Sequence, residues 1–138
     1  MTMLPPLPVA DPLTKPFWDG CREQRLLVQK CRACGSVRHP PGPVCLECRS
    51  PEADWIDSKG QGSVYSWIVV RHPIPAEVYA DKVPYVVALI DLDEGTRVVS
   101  NITHCDLEAV EAGMRVEVYF RQATETVTLP QFKPVGSR

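Results

Sequence analysis

The chain has 138 residues and a formal net charge of −2, with 44% hydrophobic and 23% charged residues, the balance of a globular protein rather than a disordered one. No apolar run approaches the roughly 20 residues of a membrane-spanning helix. The N-terminus also lacks the basic and apolar regions of a secretory signal, so a cytoplasmic protein without a disulfide framework is expected. Its six cysteines then point to metal or catalysis, and its 14 prolines to short elements joined by stiff turns.

Residues 1–13 hold Pro5, Pro6, Pro8 and Pro12 and read as an extended arm. A short helix follows, with Thr14 as its cap and Pro16 in the first turn, where a missing N–H does no harm. Phe17 and Cys21 are four apart and share a face, with Trp18 alongside. Two roles are open for that face: packing on the protein's own body, or anchoring a partner. This N-terminal segment is taken as residues 1–24.

Residues 25–57 carry the strongest motif. Cys31 and Cys34 form one C-x-x-C pair, and Cys45 and Cys48 form another. Each pair aims two sulfurs at one spot, and the stretch between can run out and back as a short strand pair, so that four thiolates meet tetrahedrally around one ion. Gly35 supplies a tight turn after the first pair, and Pro40, Pro41 and Pro43 stiffen the connection. A thioredoxin-like site needs a single pair near a βαβ pattern, which is not found here. Zinc is the metal such a set favours; iron fits the same four sulfurs. Four protein ligands leave no open position, so the ion is structural, holding a segment too small to bury its own core. Loaded with zinc, the chain carries a net charge of about −4.

From residue 58 the pattern turns to strands. In GSVYSWIVV, strict alternation puts Val64, Ser66, Ile68 and Val70 on one face and Tyr65, Trp67 and Val69 on the other. Val86, Ala88, Ile90 and Leu92 alternate with Tyr85, Val87 and Leu89. Asp93-Glu94-Gly95 turns the chain into a returning strand at 96–102. Residues 106–112 read as one or two turns of helix capped by Asp106 and ended by Gly113. Met114, Val116, Val118 and Phe120 then line one face of a fourth strand. A fifth lies near Val127–Leu129, stopped by Pro130, which leaves 131–138 as a tail. Five strands with a helix between the third and fourth, over 58–130, is the layout of an OB-fold barrel. The expected class is mainly β: an N-terminal helical segment, a zinc ribbon and a five-stranded OB-fold.

The runs PFWDGCREQRLLVQKCRACGSVRHPPGPVCLEC, GQGSVYSWIVV, PYVVALIDLDEGTRVVSNI, AGMRVEVYF and LPQFKP together resemble the DUF35 family, from about Pro16 to Pro134. The resemblance implies a rubredoxin-like zinc ribbon and an OB-fold. It also implies work beside thiolase-like enzymes (thiolases, related synthases or aldolases) in fatty-acid, steroid, aromatic or polyketide acyl-CoA metabolism. In that role the chain is a non-catalytic accessory subunit whose barrel can contact acyl-CoA, and the partner holds the catalytic residues. His104-Cys105 departs from the family pattern and lies in a variable stretch.

His104 and Cys105 are sequence neighbours, which point to opposite faces on a strand and so make a poor nucleophile–base pair. Cys21 and Cys105 read as small packing residues. His39 sits inside the ribbon, and His72 opens the long Pro73–Pro84 connection, where Tyr79 and Lys82 can face a ligand or a partner, or the loop can cap the barrel. Arg71, Lys82, Arg97, Arg115 and Arg121 are available to phosphates, but no glycine-rich fingerprint accompanies them. The Asn101-Ile102-Thr103 glycosylation pattern is irrelevant without export. A nucleic-acid module is the alternative function, with Tyr65, Trp67, Tyr85 and Tyr119 as stacking candidates. Residues 58–130 carry a net charge of −4, which opposes it; neither nucleic acid nor membrane is expected as a partner.

Overall fold

A computed structural model describes residues 4–137 of the chain. The extended arm ends in a turn at residues 11–14 that leads into α1 (Lys15–Arg22). Thr14 is the N-cap residue, but its hydroxyl does not cap the helix. Instead Asp11 N–H donates to Thr14 Oγ1 (3.1 Å) and Thr14 N–H donates to Asp11 Oδ1 (2.8 Å), closing the turn on itself. Gly20 lets the helix sit close to the next strand, because a Cβ there would meet the Leu27 side chain at 2.9 Å.

The ribbon is a three-stranded sheet in the order β2–β1–β3, with β1 at Leu27–Cys31, β2 at Val37–Arg38 and β3 at Ala53–Asp57. The strand pair expected within the stretch between the cysteine pairs is absent. Only Val37 and Arg38 are extended there, and they pair back onto β1, as β3 does from the other side. Prolines 40, 41 and 43 supply no N–H to a returning ladder. The loop they make is held instead by buried Gln29, whose Oε1 accepts from Arg38 Nε (2.8 Å) and Gly42 N–H (3.0 Å).

The barrel is closed in the order β4–β5–β6–β8–β7. Its strands are β4 (Gln61–Val70), β5 (Tyr85–Leu92), β6 (Arg97–Ile102), β7 (Arg115–Gln122) and β8 (Thr128–Pro134). The five strands in chain order and the Gly95 turn agree with the sequence reading, and so do the buried rows of β5 and β7. Three details do not.

First, β4 does not alternate throughout. Its register against β5 shifts between Val64 and Ser66, leaving Tyr65 as an extra, bulged residue. A bulge moves every later side chain to the opposite face. Trp67 and Val69 therefore join Val64 against the core, and Ile68 points out, 61% exposed.

Second, the helix expected over 106–112 is a single 3₁₀ turn at Leu107–Ala109, and Asp106 makes no side-chain cap.

Third, Pro130 does not stop the last strand. It pairs with Phe120, and β8 runs on to Pro134, so half of the expected tail is strand. In an extended residue the N and C=O point to the same edge, and the Pro130 carbonyl faces β6, accepting from Ser100 Oγ (2.9 Å). On that edge β8 and β6 meet only at Ile102–Phe132, so the ladder lacks nothing that Pro130 cannot give.

One core joins the parts. Phe17 and Cys21 from α1 and Leu26 and Val28 from the ribbon cluster with Val64, Ile90, Val116 and Phe132 of the barrel. The Phe17 face thus packs on the protein's own body, and Trp18 is half-buried beside it. The linker between the modules is pinned by Glu94 in the β5–β6 turn, which accepts from Ser58 Oγ (2.6 Å) and Lys59 N–H (2.9 Å). Among the described residues no helix is long and apolar enough to cross a membrane.

Candidate functional site

The two cysteine pairs fold as near-identical turns. After Cys31, Gly35 N–H returns to the Cys31 carbonyl (3.0 Å) and Cys31 N–H donates to Ser36 O (2.8 Å). After Cys45, Arg49 N–H returns to the Cys45 carbonyl (2.8 Å) and Cys45 N–H donates to Ser50 O (2.9 Å). Each turn needs a residue with positive φ, Gly35 at 80° and Arg49 at 67°.

The turns face each other, and all four sulfurs lie within 4.8 Å of one another. Cys31 Sγ is 3.5 Å from Cys48 Sγ, and Cys34 Sγ is 3.6 Å from Cys45 Sγ. Tetrahedral zinc, with bonds of about 2.3 Å, separates its sulfurs by about 3.8 Å, so the cluster fits one such ion. Cys31 and Cys45 are buried, whereas Cys34 and Cys48 are exposed.

The electrostatics also suit a cation. The Ser36 hydroxyl and the Cys48 N–H draw the Cys45 thiol down to about 6, and the Cys34 and Ala33 N–H groups lower Cys31. Cys48 has the Ser50 N–H to favour its thiolate, yet the sulfurs of Cys31, Cys34 and Cys45, with burial, push it up to about 12. The pocket thus accepts some negative charge readily and the last thiolate only with a compensating ion. With four protein sulfurs the ion would have no open position for water or substrate.

The other candidates assemble no reaction. Cys21 is fully buried, and burial pushes its thiol up to about 12. Burial, and then the charge of Asp106, also raises Cys105. His104 is exposed at φ 65°, and its Nδ1 lies 2.7 Å from Thr103 Oγ1, not against Cys105. His72 is exposed, and His39 packs its ring on Phe17 at 5.0 Å. Arg97 and Arg115 are tied to Asp91 and Asp93. The stacking candidates are dispersed: Trp67 packs against the core, Tyr65 lies beneath Arg97 (3.6 Å), and Tyr85 leans on Tyr79.

Sequence reasoning missed a polar network on the outer face of β6, β7 and β8. Tyr119 OH lies 2.6 Å from Thr103 Oγ1 and donates to Gln131 Oε1 (2.9 Å). Arg121 Nε donates to the same oxygen (3.1 Å), and Gln131 Nε2 donates to Asn101 Oδ1 (3.2 Å). Gln131 stood in the expected tail, so nothing placed it opposite Tyr119. The network floors a groove of about 600 Å³ whose rim includes Tyr79, Lys82 and the N-terminal arm.

A four-cysteine ribbon sharing one core with a closed five-stranded barrel defines a zinc-ribbon–OB-fold protein. Residues 18–53 match the family model for the rubredoxin-like zinc ribbon domain of ChsH2, and residues 55–121 match that for its C-terminal OB-fold domain. A DUF35 domain-containing scaffold protein of Methanothermobacter thermautotrophicus is 38% identical over 97 residues, 70% of this chain and 71% of that protein. The chain belongs to the DUF35 family. A probable enoyl-CoA hydratase alpha subunit of Thermomonospora curvata is 43% identical over 119 residues; the match takes in 86% of this chain but 36% of that larger protein. A chain of the solved structure described as an Ltp2-ChsH2(DUF35) aldolase superposes with a TM-score of 0.82 at 39% identity, covering 92% of this chain and 98% of that one.

Proposed function

We propose that the chain is a non-catalytic subunit that binds a thiolase-like enzyme and supports its acyl-CoA chemistry. In this reading Cys31, Cys34, Cys45 and Cys48 hold one structural zinc ion. The observation that carries it is the near end-to-end likeness to a chain of the Ltp2-ChsH2(DUF35) aldolase. The hydratase alpha subunit named above points the same way, toward chemistry on coenzyme A thioesters done with another subunit.

The surface suits docking. On the outer face of the barrel Ile68 pairs with Val87, and Leu89 pairs with Val99, across β4, β5 and β6. Ile68 and Val99 are 61% and 64% exposed, and a contiguous apolar stripe of this kind is what a partner covers. Zinc would cross-link the two turns of the ribbon and, being fully ligated, supply no Lewis-acid chemistry. The ribbon shares the barrel's core through Leu26 and Val28, so fixing the ribbon also fixes the surface presented. For acyl-CoA, Arg121 is a candidate cation beside the groove, oriented by Gln131, whose Oε1 accepts from its Nε (3.1 Å). The net charge of −4 over 58–130 and the dispersed aromatics weigh against a nucleic-acid strand.

Affinity recovery of the tagged chain from its native host tests the proposal. A thiolase-like subunit should copurify in stoichiometric amount; recovery of the chain alone would count against it.

A further inference from the structure

The groove on the outer face of the barrel is walled in part by the N-terminal arm. Residues Leu4–Leu7 line it on one side, and Tyr79, Tyr85, Val87, Val99 and Leu129 line it on the other. Along the arm, Pro5 and Pro8 are half-buried, whereas Leu4, Pro6, Leu7 and Val9 are exposed. That spacing of three matches the period of a polyproline II helix, and Pro5 is among the residues that line the groove. Tyr79 and Tyr85 line the same groove and lean together, with ring centroids 5.9 Å apart. Proline-rich segments are recognised this way, by aromatic-lined grooves that gain from a strand stiff before it binds.

Among the described residues, no backbone hydrogen bond joins residues 4–10 to the barrel, so release breaks no ladder. The reciprocal Asp11–Thr14 turn ends the arm and separates it from α1. The arm can therefore leave without disturbing the helix. Its outward side is apolar, with Leu4 73% and Val9 89% exposed.

We propose that this groove is a recognition site for an extended proline-rich strand, that residues 4–7 wall it in cis, and that the arm is a displaceable strap over the polar floor formed by Gln131 and Arg121. The same segment from a second copy of the chain is the occupant that fits when the strap is out. The inference does not depend on a thiolase-like partner.

The test uses the full-length, metal-loaded protein and a fluorescent peptide of residues 1–13. A tethered arm acts at an effective concentration in the millimolar range, so wild-type protein should bind the peptide at least tenfold more weakly than the Pro5→Asp/Pro8→Asp variant, whose own arm cannot seat. Adding Tyr79→Ala to that variant should abolish the gain. In methyl NMR spectra the Val87 and Leu129 signals should move on the double substitution and return when peptide is added. Equal binding to wild type and variant, binding to neither, or unmoved methyl signals would each overturn the proposal. The unchanged signals of Val28 and Val116 in the shared core serve as the folding control.

Discussion

Gly35 and Arg49 hold the same place in the two cysteine turns. Each donates its N–H to the carbonyl of the first cysteine of its pair, at 3.0 and 2.8 Å, and each does so with positive φ. Glycine takes that conformation freely, whereas an arginine pays a steric penalty of about 1 kcal/mol or more. Arg49→Gly should therefore stabilise the metal-loaded protein by about 0.5–1 kcal/mol, seen as a higher urea midpoint with an unchanged slope. Gly35→Ala should cost about 1 kcal/mol although its Cβ would meet nothing within 4 Å, because the penalty lies in the backbone.

Phe132 is the largest fully buried side chain among the described residues, and it closes the barrel between Val118 and Ile102. Phe132→Ala should cost about 3–5 kcal/mol, measured by chemical denaturation. Were residues beyond Pro130 a tail, the substitution would be silent.

Thiol reactivity should separate the six cysteines into three groups. In the folded, metal-loaded protein a thiol reagent should find only Cys105, and slowly, because burial raises its thiol and leaves it half-exposed. A chelator should release one zinc and expose four more thiols. Cys21 should react only on unfolding. Cys45→Ala should lose the metal and lower the melting temperature; full metal occupancy with unchanged melting would refute the four-cysteine site.

Acid should weaken the fold through its paired aspartates. Lys15 and then Arg22 hold Asp19 below the usual carboxylate range, Arg25 does so for Asp57, and Arg115 for Asp93. A carboxyl group depressed in the folded state contributes stability that is fully present above its unfolded value near 4 and is lost as pH falls below it. Denaturation midpoints should fall from about pH 5 downward. Asp93→Asn should make that decline shallower while leaving the Arg25–Asp57 share intact. Added salt should blunt the effect, because these pairs are exposed.

Much of this molecule was legible because its signals are local. The spacing of Cys31, Cys34, Cys45 and Cys48 marks the ribbon, and Gly95 and the alternation of β5 and β7 mark the barrel. What escaped depends on contacts made at a distance. The bulge at Tyr65 is a matter of register against β5, and no property of Tyr65 itself announces it. Pro130 reads as a stop until the neighbouring strand is known to leave its N–H position unused. Missing that continuation hid Phe132 from the core and Gln131 from the polar floor. Thr14 stands at the helix start, as its sequence position implies, but its hydroxyl accepts from the nearer Asp11 N–H.

In the proposed role this chain completes a thiolase-like enzyme without carrying the reaction. The most direct measurement is acyl-CoA turnover by the partner subunit alone, with the chain, and with its Cys45→Ala variant, alongside the mass of each mixture in solution. A hetero-oligomer is expected whose activity needs the intact chain and falls at least tenfold with the variant. A partner that is equally active and stable alone, or turnover by the purified chain itself that His72→Ala abolishes, would contradict it.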